Sequence, residues 1–235
     1  LVRVGDRGKE QWKAVTWDEA FTYIADKMKA IKAQHGAESI AMFNHGVGVR
    51  FIQHVLKSYG CTNFAGPSFA QCRGPRDVGF TLTFGSGLGS PEPTDIRNTD
   101  CLVLVGSHLG ENMHNSQVQE FAEAIERRVP IIVVDPRFSV AASKAKYWLP
   151  VKPGTDIALL LAWMNRLVTE GRYDKAFVEK HGLGFDKFAA EIKQYSVEWA
   201  AQETGVDAEL IRAAAREFAA RRPATIIHPG RRVNW

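Results

Sequence analysis

A chain of 235 residues with 45% hydrophobic content can bury a sizeable core, as one large domain or as two smaller lobes. Its formal net charge is only +4, with Lys and Arg scattered among acids, so it offers no basic block to a nucleic acid. Its longest apolar runs, at 131–134 and 157–164, fall far short of the roughly 20 residues that cross a bilayer, and no direct membrane insertion is expected.

In chain order, Thr16-Trp17-Asp18-Glu19 has the form of a capping box, and Phe21, Ile24, Met28 and Ile31 then recur at helical spacing, predicting a helix over 17–34. Residues 39–43 read as a short buried strand entering Asn44-His45-Gly46-Val47-Gly48, followed by a helix over 51–59. Gln71-Cys72-Arg73-Gly74-Pro75-Arg76 reads as a loop ahead of the glycine run Gly85-Ser86-Gly87-Leu88-Gly89. Residues 101–105 and 130–135 are continuous apolar runs of the kind a parallel strand shows when both faces are covered. With a helix over 116–128 between them they make a β-loop-α-β unit with a right-handed crossover. A short strand at 147–151, a helix opened by Pro153-Gly154-Thr155-Asp156, helices near 175–180 and 207–220, and a strand at 224–228 complete the reading. The fold class expected is α/β: Rossmann-like, open, mostly parallel sheets with helices on both faces, in two intertwined nucleotide-binding lobes. Residues 1–66 are assigned to the first lobe, 67–223 to the second, and 224–235 to a return toward the first.

Ligands of such sheets sit at the carboxyl ends of the strands, which places residues 106–112 beside Asp135-Pro136-Arg137. Gly106 to Gly110 could bring backbone N–H groups to a phosphate, although the run lacks the middle glycine of the dinucleotide fingerprint. Asp135 could accept from ribose hydroxyls or a base edge and Arg137 could pair a phosphate, or the two could be an Asp-Pro turn with a salt bridge. Thr155 or Asp156 can cap the helix that follows. His45, His108 and His114 have no metal-site spacing and read as hydrogen-bonded loop residues. Three cysteines, Cys61, Cys72 and Cys101, lack any C-x-x-C and indicate neither a disulfide framework nor a zinc knuckle. Beside Arg73 and Arg76, the Cys72 thiol has two guanidinium groups to favour its thiolate, as a nucleophile or soft ligand would need; the alternative is a small buried hydrophobe.

The run 133–137, Val-Val-Asp-Pro-Arg, followed by 148–159, Trp-Leu-Pro-Val-Lys-Pro-Gly-Thr-Asp-Ile-Ala-Leu, resembles the molybdopterin oxidoreductases of the dimethyl sulfoxide reductase family. Cys72-Arg73-Gly74-Pro75, Val105-Gly106-Ser107, the stretch 171–178 and Gly184-Phe185-Asp186 carry the same resemblance, in order along nearly the whole chain. It implies a bis(molybdopterin guanine dinucleotide) cofactor carrying molybdenum or tungsten, with Cys72 as the metal's protein ligand, in keeping with soft thiolate chemistry. By the same carry-over Gly106, Ser107, Glu111 and Asn112 would line one guanine dinucleotide. Asp135 and Arg137 would hold its ribose and phosphate, Gly154 would shape the turn before Asp156, and Asp156 would read the guanine base. The second pterin would meet the region of Gly230 and Arg231.

Enzymes of this family usually begin with a segment holding a [4Fe–4S] cluster and end with a cap domain. The chain opens at Leu1 without an initiator Met and has neither, so it is expected to be the central portion of a catalytic subunit. Where formate-oxidising relatives place His after the metal ligand, this sequence has Arg73. Arg73 and Arg76 suit a small anionic substrate, and a polysulfide or thiosulfate reductase is the expected type, with formate dehydrogenase and arsenate or nitrate reductase as alternatives. The partners implied are an iron–sulfur electron-transfer subunit and a membrane-anchor subunit, and the closest-looking relatives suggest the periplasm. The rivals are a nicotinamide-dependent dehydrogenase, which the missing glycine disfavours, and a non-catalytic scaffold homologue in a respiratory complex.

Overall fold

The computed structural model describes residues 1–44, 49–66, 74–85, 94–107, 109 and 117–229, Arg76 and Pro229 in their backbone only. The chain divides into two compact units, Leu1–Ala70 and Gln71–Trp235.

In the first unit, β1 (Val2–Arg3) and β2 (Trp12–Lys13) form an antiparallel pair that the alternation of the sequence did not announce. Helix α1 (Trp17–His35) starts where the capping box predicts: the Thr16 N–H donates to Glu19 Oε2 at 2.7 Å and the Glu19 N–H to Thr16 Oγ1 at 3.3 Å. The strand expected over 39–43 is shorter, because residues Ala37–Ser39 close a 3₁₀ turn behind Gly36, and only β3 (Met42–Phe43) remains. It pairs in parallel with β4 (Phe64–Ala65), across helix α2 (Val49–Tyr59). Among the described residues of this unit, the buried hydrophobic ones are Ala37, Leu56 and Cys61.

The second unit opens with helix α3 (Gly74–Phe84), where the sequence reading had a loop. Pro75 at its start explains the difference: a proline needs no N–H in the first helical turn, and its fixed φ is already helical. Beyond it, β5 (Cys101–Val105), α4 (Val118–Glu126), β6 (Ile131–Val134) and β7 (Tyr147–Leu149) follow as the apolar runs predict. Helices α5 (Asp156–Thr169), α6 (Lys175–His181), α7 (Phe185–Glu191), α8 (Val197–Thr204) and α9 (Ala208–Ala220) then lead to β8 (Thr225–Pro229). Helices α7 and α8 are short and carried no clear period in the sequence.

The four strands form one parallel sheet in the order β7-β6-β5-β8. Both faces are covered. Cys101, Val103, Val105, Ile132, Val134 and Leu149 pack against Leu159 and Trp163 of α5 and Ile211 and Ala214 of α9. The alternate residues Leu102, Leu104, Ile131 and Val133 pack on Ile96, Phe121 and Ala124 on the other side. Residues 225–229, expected to turn back toward the first lobe, instead pair with β5 in this sheet, since Ile226 and His228 continue its register beside Leu102 and Leu104.

Candidate functional site

The chain runs β5, β6, β7 outward in one direction and then returns to lay β8 on the opposite side of β5. The order therefore reverses between β5 and β8, and crevices at such reversals, outside the strands' carboxyl ends, are where open α/β sheets take ligands. The side chains singled out in the sequence can be placed against this edge.

Gly106 leaves β5 with φ +56°, a left-handed conformation that glycine adopts without strain, and its N–H donates to the Val134 carbonyl at 2.9 Å. That bond ties the end of β5 to the end of β6. Asp135 directly follows β6 and is buried. Its Oδ1 accepts the Arg137 N–H at 2.8 Å, forming the Asp-Pro turn, and its own N–H donates to the Leu149 carbonyl of β7 at 3.2 Å. Trp148 fixes the turn from below, its indole N–H donating to the Asp135 carbonyl at 2.8 Å, and Phe138 stands edge-on to it at 4.9 Å. Sequence reasoning used Trp148 as a motif letter and gave it no such work.

Gly154 has φ +83° with open space around it, so its requirement is conformational and not steric. Thr155 is the N-cap residue of α5, but its hydroxyl donates to the Lys152 carbonyl at 2.7 Å and makes no cap bond. Asp156 is not the cap either: it is the first helical residue, an acid at the positive end of α5. Burial pushes the Asp156 carboxyl above its ordinary range; its own backbone N–H opposes this, and the nearby charge of Asp135 adds to it. Two carboxylates from different elements are thus brought into mutual electrostatic range.

Cys72, Arg73, Glu111, Asn112, Gly230 and Arg231 lie outside the described residues, as do His45, His108 and His114. The backbone of Arg76 falls in the first turn of α3 rather than in a loop. Among the described residues no group of three or more His, Cys, Asp or Glu could hold a metal, and no helix is long and apolar enough to cross a membrane. A hollow of about 310 Å³ lined by Arg128, Lys144, Lys146 and Arg221 sits at the other end of the sheet. Helices α4 and α9 end there, and Lys146 and Arg221 are already paired with Glu217, so the carboxyl ends of the strands carry the candidate site.

A family model described as molybdopterin oxidoreductase matches residues 1–234. The chain belongs to the molybdopterin oxidoreductase family. Its relatives within that family include the thiosulfate reductase molybdopterin-containing subunit PhsA of Salmonella typhimurium, 35% identical over all of this chain and 30% of that protein. Dimethyl sulfoxide reductase DmsA of Haemophilus influenzae is 32% identical over all of this chain and 34% of its own length. Among solved structures, acetylene hydratase from Pelobacter acetylenicus superposes with a TM-score of 0.74 at 29% identity, covering 99% of this chain and 32% of that one. This molybdopterin oxidoreductase chain therefore spans about a third of the length of the relatives it matches. The fold class expected from the strand runs is the one observed, a mixed α/β architecture with a parallel sheet.

Proposed function

We propose that the chain is the central portion of the catalytic subunit of a molybdenum or tungsten oxidoreductase. In this reading it holds part of a bis(molybdopterin guanine dinucleotide) cofactor at the carboxyl ends of β5, β6 and β7. The observation that carries the reading is the convergence of the Gly106-Ser107 turn, the Asp135-Pro136-Arg137 turn and Asp156 at one edge of one sheet. The residues suit such a group. Two carboxylates at the strand ends are a set rich in acceptors and poor in donors, matched to ribose hydroxyls and to the N–H edge of a guanine. Arg137 adds the planar cation that pairs a phosphate.

The metal, when bound, supplies two-electron chemistry. Asp135 spends one oxygen on the Arg137 N–H and would offer the other to the ribose. Asp156, held at a helix start, can accept from both N–H groups of a guanine edge only while ionised, so its raised pKa makes nucleotide retention sensitive to acid. Cys72 is proposed as the metal's ligand, with Arg73 and Arg76 orienting an anionic substrate. Glu111, Asn112, Gly230 and Arg231 would complete the dinucleotide contacts. A sulfur compound such as polysulfide or thiosulfate is the favoured substrate, supported by the 35% identity to PhsA over all of this chain and by Arg73 following Cys72. Electrons would pass through a [4Fe–4S] cluster on another segment of the parent protein to an iron–sulfur partner subunit.

The test is the metal and acid-released guanine nucleotide content of the parent protein purified without oxygen. About one metal and two nucleotides per chain are expected from the cofactor's chemistry, and absence of both would leave the scaffold reading. Cys72→Ala should lower thiosulfate or polysulfide turnover by about 100-fold or more; near-normal turnover would remove Cys72 from the metal. The structural likeness to acetylene hydratase favours one second reading, a redox-neutral hydration, which acetylene consumption without added reductant would detect.

A further inference from the structure

One group of buried polar side chains at the β5–β8 reversal takes no part in the contacts described above. β8 brings His228 beside Ser107, with Ser107 Oγ 3.0 Å from His228 Nδ1. The other ring nitrogen, Nε2, lies 2.9 Å from Gln117 Oε1 just ahead of α4. Gln117 Nε2 in turn donates to the Thr94 carbonyl at 3.3 Å and to Thr94 Oγ1 at 3.1 Å. Ser107, Gln117 and His228 are 2%, 4% and 4% exposed.

The proton positions along this line follow from its far end. A carbonyl oxygen only accepts, so the Gln117 amide must turn its nitrogen to Thr94 and its oxygen to His228. That oxygen also only accepts, so His228 Nε2 carries the proton. In the neutral ring Nδ1 is then a bare lone pair, and it takes the Ser107 hydroxyl proton. The line is not a hydrolytic array, because Ser107 is buried and Gln117 has no charge with which to stabilise an imidazolium.

We propose that Thr94, Gln117 and His228 form a positioning relay that holds the Ser107 hydroxyl proton inward. A nucleotide at the strand ends then meets Ser107 through its backbone N–H and its oxygen lone pairs, not through a donated hydroxyl proton. The relay also locks the Gly106-Ser107 turn to β8, across the reversal that forms the crevice. This inference rests on the nucleotide-binding reading above.

Two measurements on the parent protein test it. Selective ¹⁵N labelling of histidine, with His228→Gln to assign the signal, reads the tautomer whether or not cofactor is present: a proton on Nε2 is expected, and a proton on Nδ1 overturns the relay. The second is the rate at which guanine nucleotide leaves the purified holoenzyme in mild urea. Asn at 228 places an amide oxygen near Nδ1, whereas Gln places its amide near Nε2 and leaves Ser107 without an acceptor. His228→Gln and Ser107→Ala should each speed release about tenfold, the usual scale for orphaning a buried polar group. The double variant should release no faster than either single, and His228→Asn should stay within about twofold of wild type. Additive singles, or an Asn variant as leaky as the Gln variant, overturn the relay. A wild-type protein with no nucleotide to release instead overturns the nucleotide reading, and with it the role given to Ser107, while the tautomer result still judges the hydrogen-bond line.

Discussion

Asp156 is placed at the cost of its own ionisation. Because its folded pKa is raised, this group favours the fold most fully below the ordinary aspartate value, and that contribution is lost as pH rises through the folded pKa. At neutral pH the charged Asp156 beside Asp135 is therefore a small penalty that a bound donor would relieve. Asp156→Asn should raise the melting temperature of the cofactor-free protein at pH 7 while lowering the guanine nucleotide content of the purified parent holoprotein, and a fall in both would place Asp156 among the structural residues. Cys101 is shifted for a different reason. Burial in β5, with Glu217 nearby, pushes its thiol up to about 12, so it stays neutral and unreactive at pH 8. Cys61, fully buried with its Sγ donating to the Ile40 carbonyl at 2.9 Å, is sealed by packing. A thiol reagent at pH 8 should leave both unmodified until the protein unfolds, and mass spectrometry finding either labelled in the folded protein would contradict this burial.

Helix α5 carries a polar side chain in its buried face, and that side chain joins two elements the sequence kept apart. Asn165 donates through Nδ2 to the carbonyls of Ile192, at 2.9 Å, and Lys193, at 3.2 Å, in the 3₁₀ turn that follows α7. Asn165→Ala strips the Lys193 carbonyl of this donor and leaves the Ile192 carbonyl with the Tyr195 N–H at 3.2 Å, and should lower the unfolding free energy by about 2 kcal/mol, seen as a lower urea midpoint at unchanged slope. A loss below about 0.5 kcal/mol would mean that water replaces the amide. The same contrast governs what could be read from the chain beforehand. The α1 capping box, the β5 and β6 runs and the Asp135-Pro136 turn depend on neighbours within a few residues, and each was legible. Ser107, Gln117 and His228 meet across 111 and 121 residues, and only the return of β8 brings them together. A lone histidine in an apolar strand gave no local sign of that. Helix α3 was missed because Gly74-Pro75 is punctuation in a loop and equally a helix start, and the choice is made by packing.

At the scale of the whole molecule, the two units differ in what holds them. β5 is hydrogen-bonded on both sides, to β6 and β8, and all five of its residues are buried between two apolar layers. In the first unit α1 runs for 19 residues with none buried, and Trp17, Phe21 and Ile24 are 78%, 60% and 51% exposed. Helix α2 buries Leu56 and leaves Phe51 and Val55 exposed. A helix of that length is marginal on propensity alone and draws most of its stability from a buried face, so α1 in this chain rests on its cap and its contacts with the 3₁₀ turn and Tyr59. Local opening should follow the same division. Amide hydrogen exchange on the 235-residue chain should be slowest at Val103 and Leu104, and faster in the middle of α1 by at least about tenfold, the scale of a 1.4 kcal/mol difference in opening free energy. If α1 instead exchanges as slowly as β5, the chain opens as one cooperative body, and the few residues buried around α1 understate what secures it. If α1 is fast here but slow in the parent protein, the protection comes from the rest of that protein, and the exposed face of Trp17, Phe21 and Ile24 is where it would act.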